Sequence, residues 1–282
     1  MRPNLACPLA LLLSVLGASQ TIQKSSPTDQ DLTADQTQMV MKLANLQKNF
    51  GKKMNSPGVD LSLKEISRSR ASDRTFVKYE LYATGLPTNS TYSLAKVQIS
   101  GKVLKQLDGI TIASDGRAIC AGRKGTCSGS EPNSPIDLAF FAGKAEPIRL
   151  ALVSNDDPHV KGFVQAIPFP NSIKDKGCTL ESIIGTAKGE LTYIQGSGFE
   201  PGEELTTDSE NYGEKTHSVS KAEADGAYFA VAAPNVLGKT SGTTIWSVKG
   251  KNCHPTLTFS WAPTSLNRPA PAQLLQTGDT TH

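Results

Sequence analysis

Beyond its first nineteen residues this 282-residue chain never strings together the ~20 apolar residues that a helix needs to cross a bilayer, which excludes a helical membrane span. Charge of one sign is also lacking. Its 29 Lys and Arg against 26 Asp and Glu leave +3 at pH 7, short of the concentrated basic face of a nucleic-acid binder. Lys52-Lys53 and Arg68-x-Arg70 read as solvated surface. His159, His217, His254 and His282 are scattered, none at metal-ligand spacing from another. Gly238-Lys239-Thr240 fails as a phosphate loop, because position 233 is Ala and Pro234 lies inside the would-be loop. Gly196-Ser197-Gly198 lacks the spacers of a nucleophile elbow. Asn155-Asp156-Asp157 lacks the spaced acidic pattern of a calcium loop and reads as a solvated turn, as do Glu200, Glu203 and Glu204 around Pro201-Gly202. These absences leave no catalytic residue, metal ligand or cofactor to name, and the chain reads as no enzyme; a site assembled from distant residues keeps a hydrolase as a remote alternative.

What is present starts with a leader. Arg2 supplies a positive charge, Leu9 to Leu16 a short apolar stretch, and Gly17-Ala18-Ser19 the small residues of a cleavage site, so residues 1–19 read as a secretory signal cut after Ser19. The remaining protein is expected to be secreted or periplasmic. Its loss removes Cys7, leaving Cys120, Cys127, Cys178 and Cys253 in an oxidising compartment with three possible pairings. The domain seam proposed below favours pairing within units, Cys120 with Cys127 and Cys178 with Cys253. Zinc is disfavoured by the Cys-x6-Cys spacing and the absence of Cys-x2-Cys.

The chain then repeats itself. Thr84-Gly85-Leu86-Pro87 returns as Ser197-Gly198-Phe199-Glu200-Pro201, Asp115-Gly116 as Asp225-Gly226, Ala142-Gly143-Lys144 as Lys249-Gly250-Lys251, and Pro147 as Pro255. By subtraction the offsets are 113, 110, 107 and 108 residues, the size of a small β-sandwich and far above a solenoid period.

Hydropathy period supports two all-β units. Residues 20–54 comprise a flexible lead-in and an amphipathic helix whose Met39, Val40, Leu43, Leu46 and Phe50 form one apolar face. That short helix needs something to dock against, the adjacent domain first, another chain or a membrane surface second. From Val59 the period becomes two: Val59, Leu61 and Leu63, then Val77, Tyr79, Leu81 and Ala83, alternate with polar residues. Thr244, Trp246 and Val248, then Leu257, Phe259 and Trp261, repeat the scheme, with both tryptophans inward. Asp-Gly pairs mark tight turns, and no helical crossover separates the strands. The expectation is two tandem immunoglobulin-like antiparallel β-sandwiches with a short N-terminal helix, one over 55–170 and one over 178–262. Pro168-Phe169-Pro170-Asn171 marks the seam, the linking boundary runs over 168–177, and 263–282 form a disordered tail.

The run from Gly196 to Glu203, followed by Ala224-Asp225-Gly226-Ala227-Tyr228-Phe229, resembles the immunoglobulin-like modules of bacterial exported proteins, including the IPT/TIG-like type and repeats of adhesins. The resemblance is best over 178–262 and implies a spacer or interaction module with no catalytic residue to carry across. A non-catalytic exported module is therefore expected, meeting an unidentified protein or glycan at the cell exterior. The alternative is a carbohydrate-binding accessory module, which would need a planar row of exposed aromatics; Tyr82, Tyr92 and Tyr212 are its candidates. Asn89-Ser90-Thr91 is a formal glycosylation acceptor.

Overall fold

The structure is a computed structural model that describes residues 11–13, 34–71, 74–99, 101–121, 127, 133–186, 191–234, 239 and 241–261. Residues 20–33 and the tail expected at 263–282 lie outside the described residues, as does the leader apart from 11–13. The elements begin with β1 (Leu11–Leu13), α1 (Ala34–Asn49), β2 (Asp60–Arg70), β3 (Arg74–Thr84), β4 (Tyr92–Val97) and β5 (Val103–Ile112). Then follow β6 (Ala118–Cys120), β7 (Asp137–Gly143), β8 (Ile148–Ser154), β9 (Lys161–Ala166), β10 (Asn171–Asp175) and β11 (Cys178–Ile184). The last are β12 (Thr192–Ser197), β13 (Glu204–Asn211), β14 (Glu214–Lys221), β15 (Tyr228–Ala233), β16 (Gly242–Lys249) and β17 (Thr256–Trp261). The chain is all-β apart from α1 and a short 3-10 turn at Lys52–Met54. It divides into two compact units, 49–169 and, from the described residues, 11–13 and 34–48 with 170–261.

The first sandwich packs a sheet of order β2-β3-β7 with one of order β6-β5-β4-β8-β9, every pair antiparallel. The strict alternation of β3 sends Thr75, Val77, Tyr79, Leu81 and Ala83 inward, where Val77 and Leu81 join Leu94, Ile110, Phe140 and Leu150 in one core. Each such aliphatic side chain contributes roughly 1.5–3 kcal/mol by leaving water. Arg149 on β8 is buried although the alternation makes it a polar position. Its guanidinium lies 5.4 Å from the Phe50 ring centre and Nε donates to Gln165 Oε1 at 2.9 Å, which offsets the desolvation of the charge. Phe50 itself falls just outside α1 and packs edge-on against Phe163, with ring centres 5.7 Å apart.

The second sandwich packs β10-β11-β12-β15 with β14-β13-β16-β17, and β1 extends the first of these sheets beyond β15. Leu180, Ile194, Leu205, Trp246, Val248 and Phe259 make its core, and Trp261 is buried as well. β10 occupies 171–175, so most of the stretch read as a linker is a strand paired with β11. α1 ends on this sandwich: Lys48 Nζ meets Glu223 Oε1 at 2.6 Å, and Ala44 and Gln47 are buried. The helix expected to dock on the domain next to it in sequence thus has its ion pair with the other.

Setting aside β1, β6 and β10, the two sandwiches share one strand order. β2, β3 and β7 correspond to β11, β12 and β15, and β5, β4, β8 and β9 to β14, β13, β16 and β17. The two Asp-Gly turns are the same structure. Gly116 and Gly226 have φ of 86° and 75°, their N–H groups donate to Ala113 O and Glu223 O at 2.9 Å each, and Asp115 and Asp225 each accept, at 3.1 Å, the amide two residues on. Only the glycine has positive φ, so each is a type I turn closed by a glycine bulge and not the doubly left-handed hairpin turn. The last two sequence correspondences fail. Gly143-Lys144 ends β7 whereas Gly250-Lys251 follows β16, and Pro147 precedes β8 whereas Pro255 precedes β17, each one strand later in the shared order, so those matches are out of register.

Candidate functional site

The alternation that buries one side of β3 presents Phe76, Lys78, Glu80 and Tyr82 on the outer face of the β2-β3-β7 sheet. Register places Phe76 opposite Phe141 of β7, with ring centres 4.9 Å apart, and Phe141 stays 46% exposed. Lys78 sits between Ser67 and Ala139 in the next row, and Glu80 between Lys64 and Asp137 in the row after that. Lys64 Nζ is 3.8 Å from Glu80 and 5.8 Å from the centre of the Tyr82 ring, while Tyr82 Oη donates to Glu80 Oε2 at 2.9 Å. The face therefore grades from an apolar end to a charged end. Exposed aromatic surface rimmed by charge is the composition of a contact patch and not of a reaction site.

On the other strand of the hairpin, the pairing shifts register between Glu65 and Ser67, and the extra residue, Ile66, is 47% exposed. Arg68 is held bidentately by Glu65 at 2.8 and 2.6 Å, which keeps the Glu65 carboxyl below its usual range, and also donates to the Pro168 carbonyl. Arg70 stacks over Phe169, 4.2 Å from the ring centre.

Cys178 and Cys253 form a disulfide that links the start of β11 to the β16–β17 turn. The expected Cys120–Cys127 bridge is not formed: both cysteines are reduced and buried in the first core. Cys127 Sγ instead points at two β5 carbonyls, Asp108 at 3.4 Å and Gly109 at 3.7 Å. Burial first, and the hydrogen bond with Cys120 second, push its pKa up to about 12, opposite to what a reactive cysteine requires.

The aromatic candidates do not form a row. Tyr92 is fully buried and its hydroxyl donates to the Pro87 carbonyl at 2.7 Å. Tyr212 is exposed at the β13–β14 tip, but Lys239 Nζ lies 5.1 Å from its ring centre, Trp261 meets it edge-on, and its hydroxyl binds the Ser241 carbonyl. Tyr82 belongs to the sheet face described above.

Of the acidic residues read as solvated, Glu203 is buried, at 6% exposure. Oε1 accepts the Glu200 amide at 2.8 Å and Oε2 the Lys251 amide at 2.7 Å, so its carboxylate pins two loops together. Asn155 begins a turn, as expected, but its side-chain amide donates to Asp108 Oδ1 at 3.0 Å, where Ser93 Oγ also donates at 2.8 Å. With Lys105 Nζ on Oδ2 at 2.7 Å, these contacts hold Asp108 at about 2. This network has no signature in the sequence.

One hydrolase-like trio appears. Asp208 on β13 meets His217 Nδ1 at 2.8 Å and lies opposite Ser247 of β16. Acyl transfer needs the histidine between serine and carboxylate, and here the carboxylate is in the middle. Among the described residues no group of three His, Cys, Asp or Glu could hold a metal, and no helix is long and apolar enough to cross a membrane.

No family model and no curated protein matches the chain. Among solved structures, the chain is similar to a crystal structure of a tetra-tandem repeat in the extending region of a large adhesion protein, at 12% identity and a TM-score of 0.22. The match covers 73% of this chain and 50% of that one, so it spans about half the length of that protein. A likeness of that size bears on neither activity nor partner.

Proposed function

We propose that this is a non-catalytic, exported binding or structural module, carried out of the cytoplasm on residues 1–19, whose first sandwich meets a protein partner through the outer face of β2-β3-β7. The observation that carries the reading is the Phe76–Phe141 pair on a sheet face where Phe141 remains open to water. Burying such rings against a partner releases ordered water, and the flanking Lys64, Lys78 and Asp137 set orientation and partner choice. The buried Cys127 thiol is deactivated and the histidine-carboxylate pair is in the wrong order for acyl transfer, which supports a role without turnover.

The test is capture by the exported chain. A Phe141→Glu variant should unfold at the same temperature as wild type and lose the captured protein. Capture that survives this change, or binding on a glycan array that disappears with Tyr212→Ala, would replace the reading with the carbohydrate-binding one.

A further inference from the structure

A sheet edge is a row of unpaired N–H and C=O groups, and folded proteins guard such rows with charge, bulges or cover. Without β1, the second sandwich has four edges. β14 carries Glu214, Lys215 and Lys221; β10 ends in Lys174-Asp175; and β17 is met by Asn171, whose amide donates to Thr258 O at 3.0 Å. β15 has none of these guards. Its sequence, Tyr228-Phe229-Ala230-Val231-Ala232-Ala233, contains no charge and no proline, and its pairing with β12 runs without a register break.

The main chain of β1 occupies that edge, antiparallel, with Leu11 opposite Ala233, Leu12 opposite Ala232 and Leu13 opposite Val231. Both faces are apolar there: Ala230 and Ala232 belong to the core, and on the other side Val231 is buried between half-buried Phe229 and Ala233. A strand added beside them meets apolar surroundings on both sides, so it needs consecutive apolar residues and not an alternating pattern. Three leucines in succession meet that requirement. The run ends at Pro234, which has no N–H to offer.

We propose that the outer edge of β15 is a strand-acceptor site, filled in cis by Leu11–Leu13 and, once the leader is removed, by an extended apolar segment of a partner protein running antiparallel. Main-chain hydrogen bonds supply the attraction and the apolar flanks the selectivity, as in strand addition generally. The site is separate from the Phe76–Phe141 face, and its second occupant rests on reading residues 1–19 as a removable leader.

Hydrogen exchange on the full chain tests this. Register fixes which β1 amides matter. Gly185 N–H donates to Leu191 O, so by alternation residues 192 and 194 bond β15, and Val231 and Ala233 turn their main-chain groups to the outer edge, opposite Leu13 and Leu11. Leu13→Pro deletes an N–H from that pairing. The Val231 and Ala233 amides should then exchange at least tenfold faster than in wild type, with the Ala230 and Ala232 amides, which face β12, and those of β13 and β16 unchanged. A synthetic peptide of residues 9–16 with lysines at both ends should restore protection, and the same peptide carrying Leu13→Pro should not. Equal exchange in the two chains, or equal protection by the two peptides, overturns the proposal. Protection that rises with protein concentration alongside dimer formation assigns the edge to a second copy and overturns it as well. Amino-terminal sequencing of the exported chain checks the leader separately.

Discussion

Gly198 lies so close to Gly177 that a Cβ on it would stand 2.3 Å from the Gly177 carbonyl oxygen, and its φ of 85° is one that L side chains avoid. Gly85 has the same relationship to Gly58 in the first sandwich, at 2.0 Å. Gly198→Ala should therefore combine backbone strain with overpacking and cost about 3 kcal/mol. Gly177→Ala, where φ is 98° but nothing lies within 4 Å of an added Cβ, should cost only the strain, about 1 kcal/mol. Urea unfolding measures both. Equal losses would show that the close approach is relaxed.

Glu203→Ala leaves the Glu200 and Lys251 amides without their acceptor and should lower the stability of the second sandwich by about 2 kcal/mol. Glu203→Gln keeps one acceptor oxygen and should lose less. Chemical denaturation of both variants, followed through the buried Trp246, gives the comparison.

Asp108 sets a pH dependence with a definite sign. Its carboxyl titrates at about 2 in the folded chain against an ordinary 3.8, because Lys105 first and Ser93 second favour the ionised form. A lowered folded value means that the contribution is complete above about pH 4 and is lost as pH falls through about 2. The group is largely exposed, so the contribution is no more than about 1 kcal/mol. Asp108→Asn should thus be slightly less stable than wild type at pH 7 and indistinguishable from it below pH 2. A carbon-detected NMR titration should place the Asp108 midpoint near 2.

Thiol labelling separates the cysteines. Cys120 and Cys127 should ignore a thiol reagent in the folded exported chain and react in denaturant, while Cys178 and Cys253 should appear as one bridged peptide in a non-reducing map. Replacing both Cys178 and Cys253 with Ser should cost about 4 kcal/mol in the loop-entropy view. A Cys120–Cys127 bridged peptide would instead mean that these thiols oxidise within the core.

Much of the architecture was legible in local pattern. The alternation of β3, the inward tryptophans and the Asp-Gly turns depend on neighbours within a few residues, and each occurs where that pattern points. The misses share a different cause. Asp108 draws on Ser93 and Asn155, Glu203 on Lys251, and Arg149 on Phe50, partners separated by 15, 47, 48 and 99 positions and brought together only by sheet register and loop closure. Tyr92 looked like a surface aromatic because it flanks a polar turn; the strand phase turns its ring inward. The third and fourth repeat correspondences misled because Gly-Lys and Pro are common hairpin punctuation and recur one strand out of step.

The Cys178–Cys253 bond also makes the two sandwiches mechanically unlike. A pull on the chain enters the second at Pro170 and leaves past Trp261, but the bond short-circuits the 75 positions between the cysteines, holding back about 250 Å of extensible length. Tension can unravel β10 and β17 and then meets a covalent stop. The first sandwich, with no such clasp, can lengthen from Asn49 to Phe169, so under load it is the shock absorber and its neighbour the rigid link.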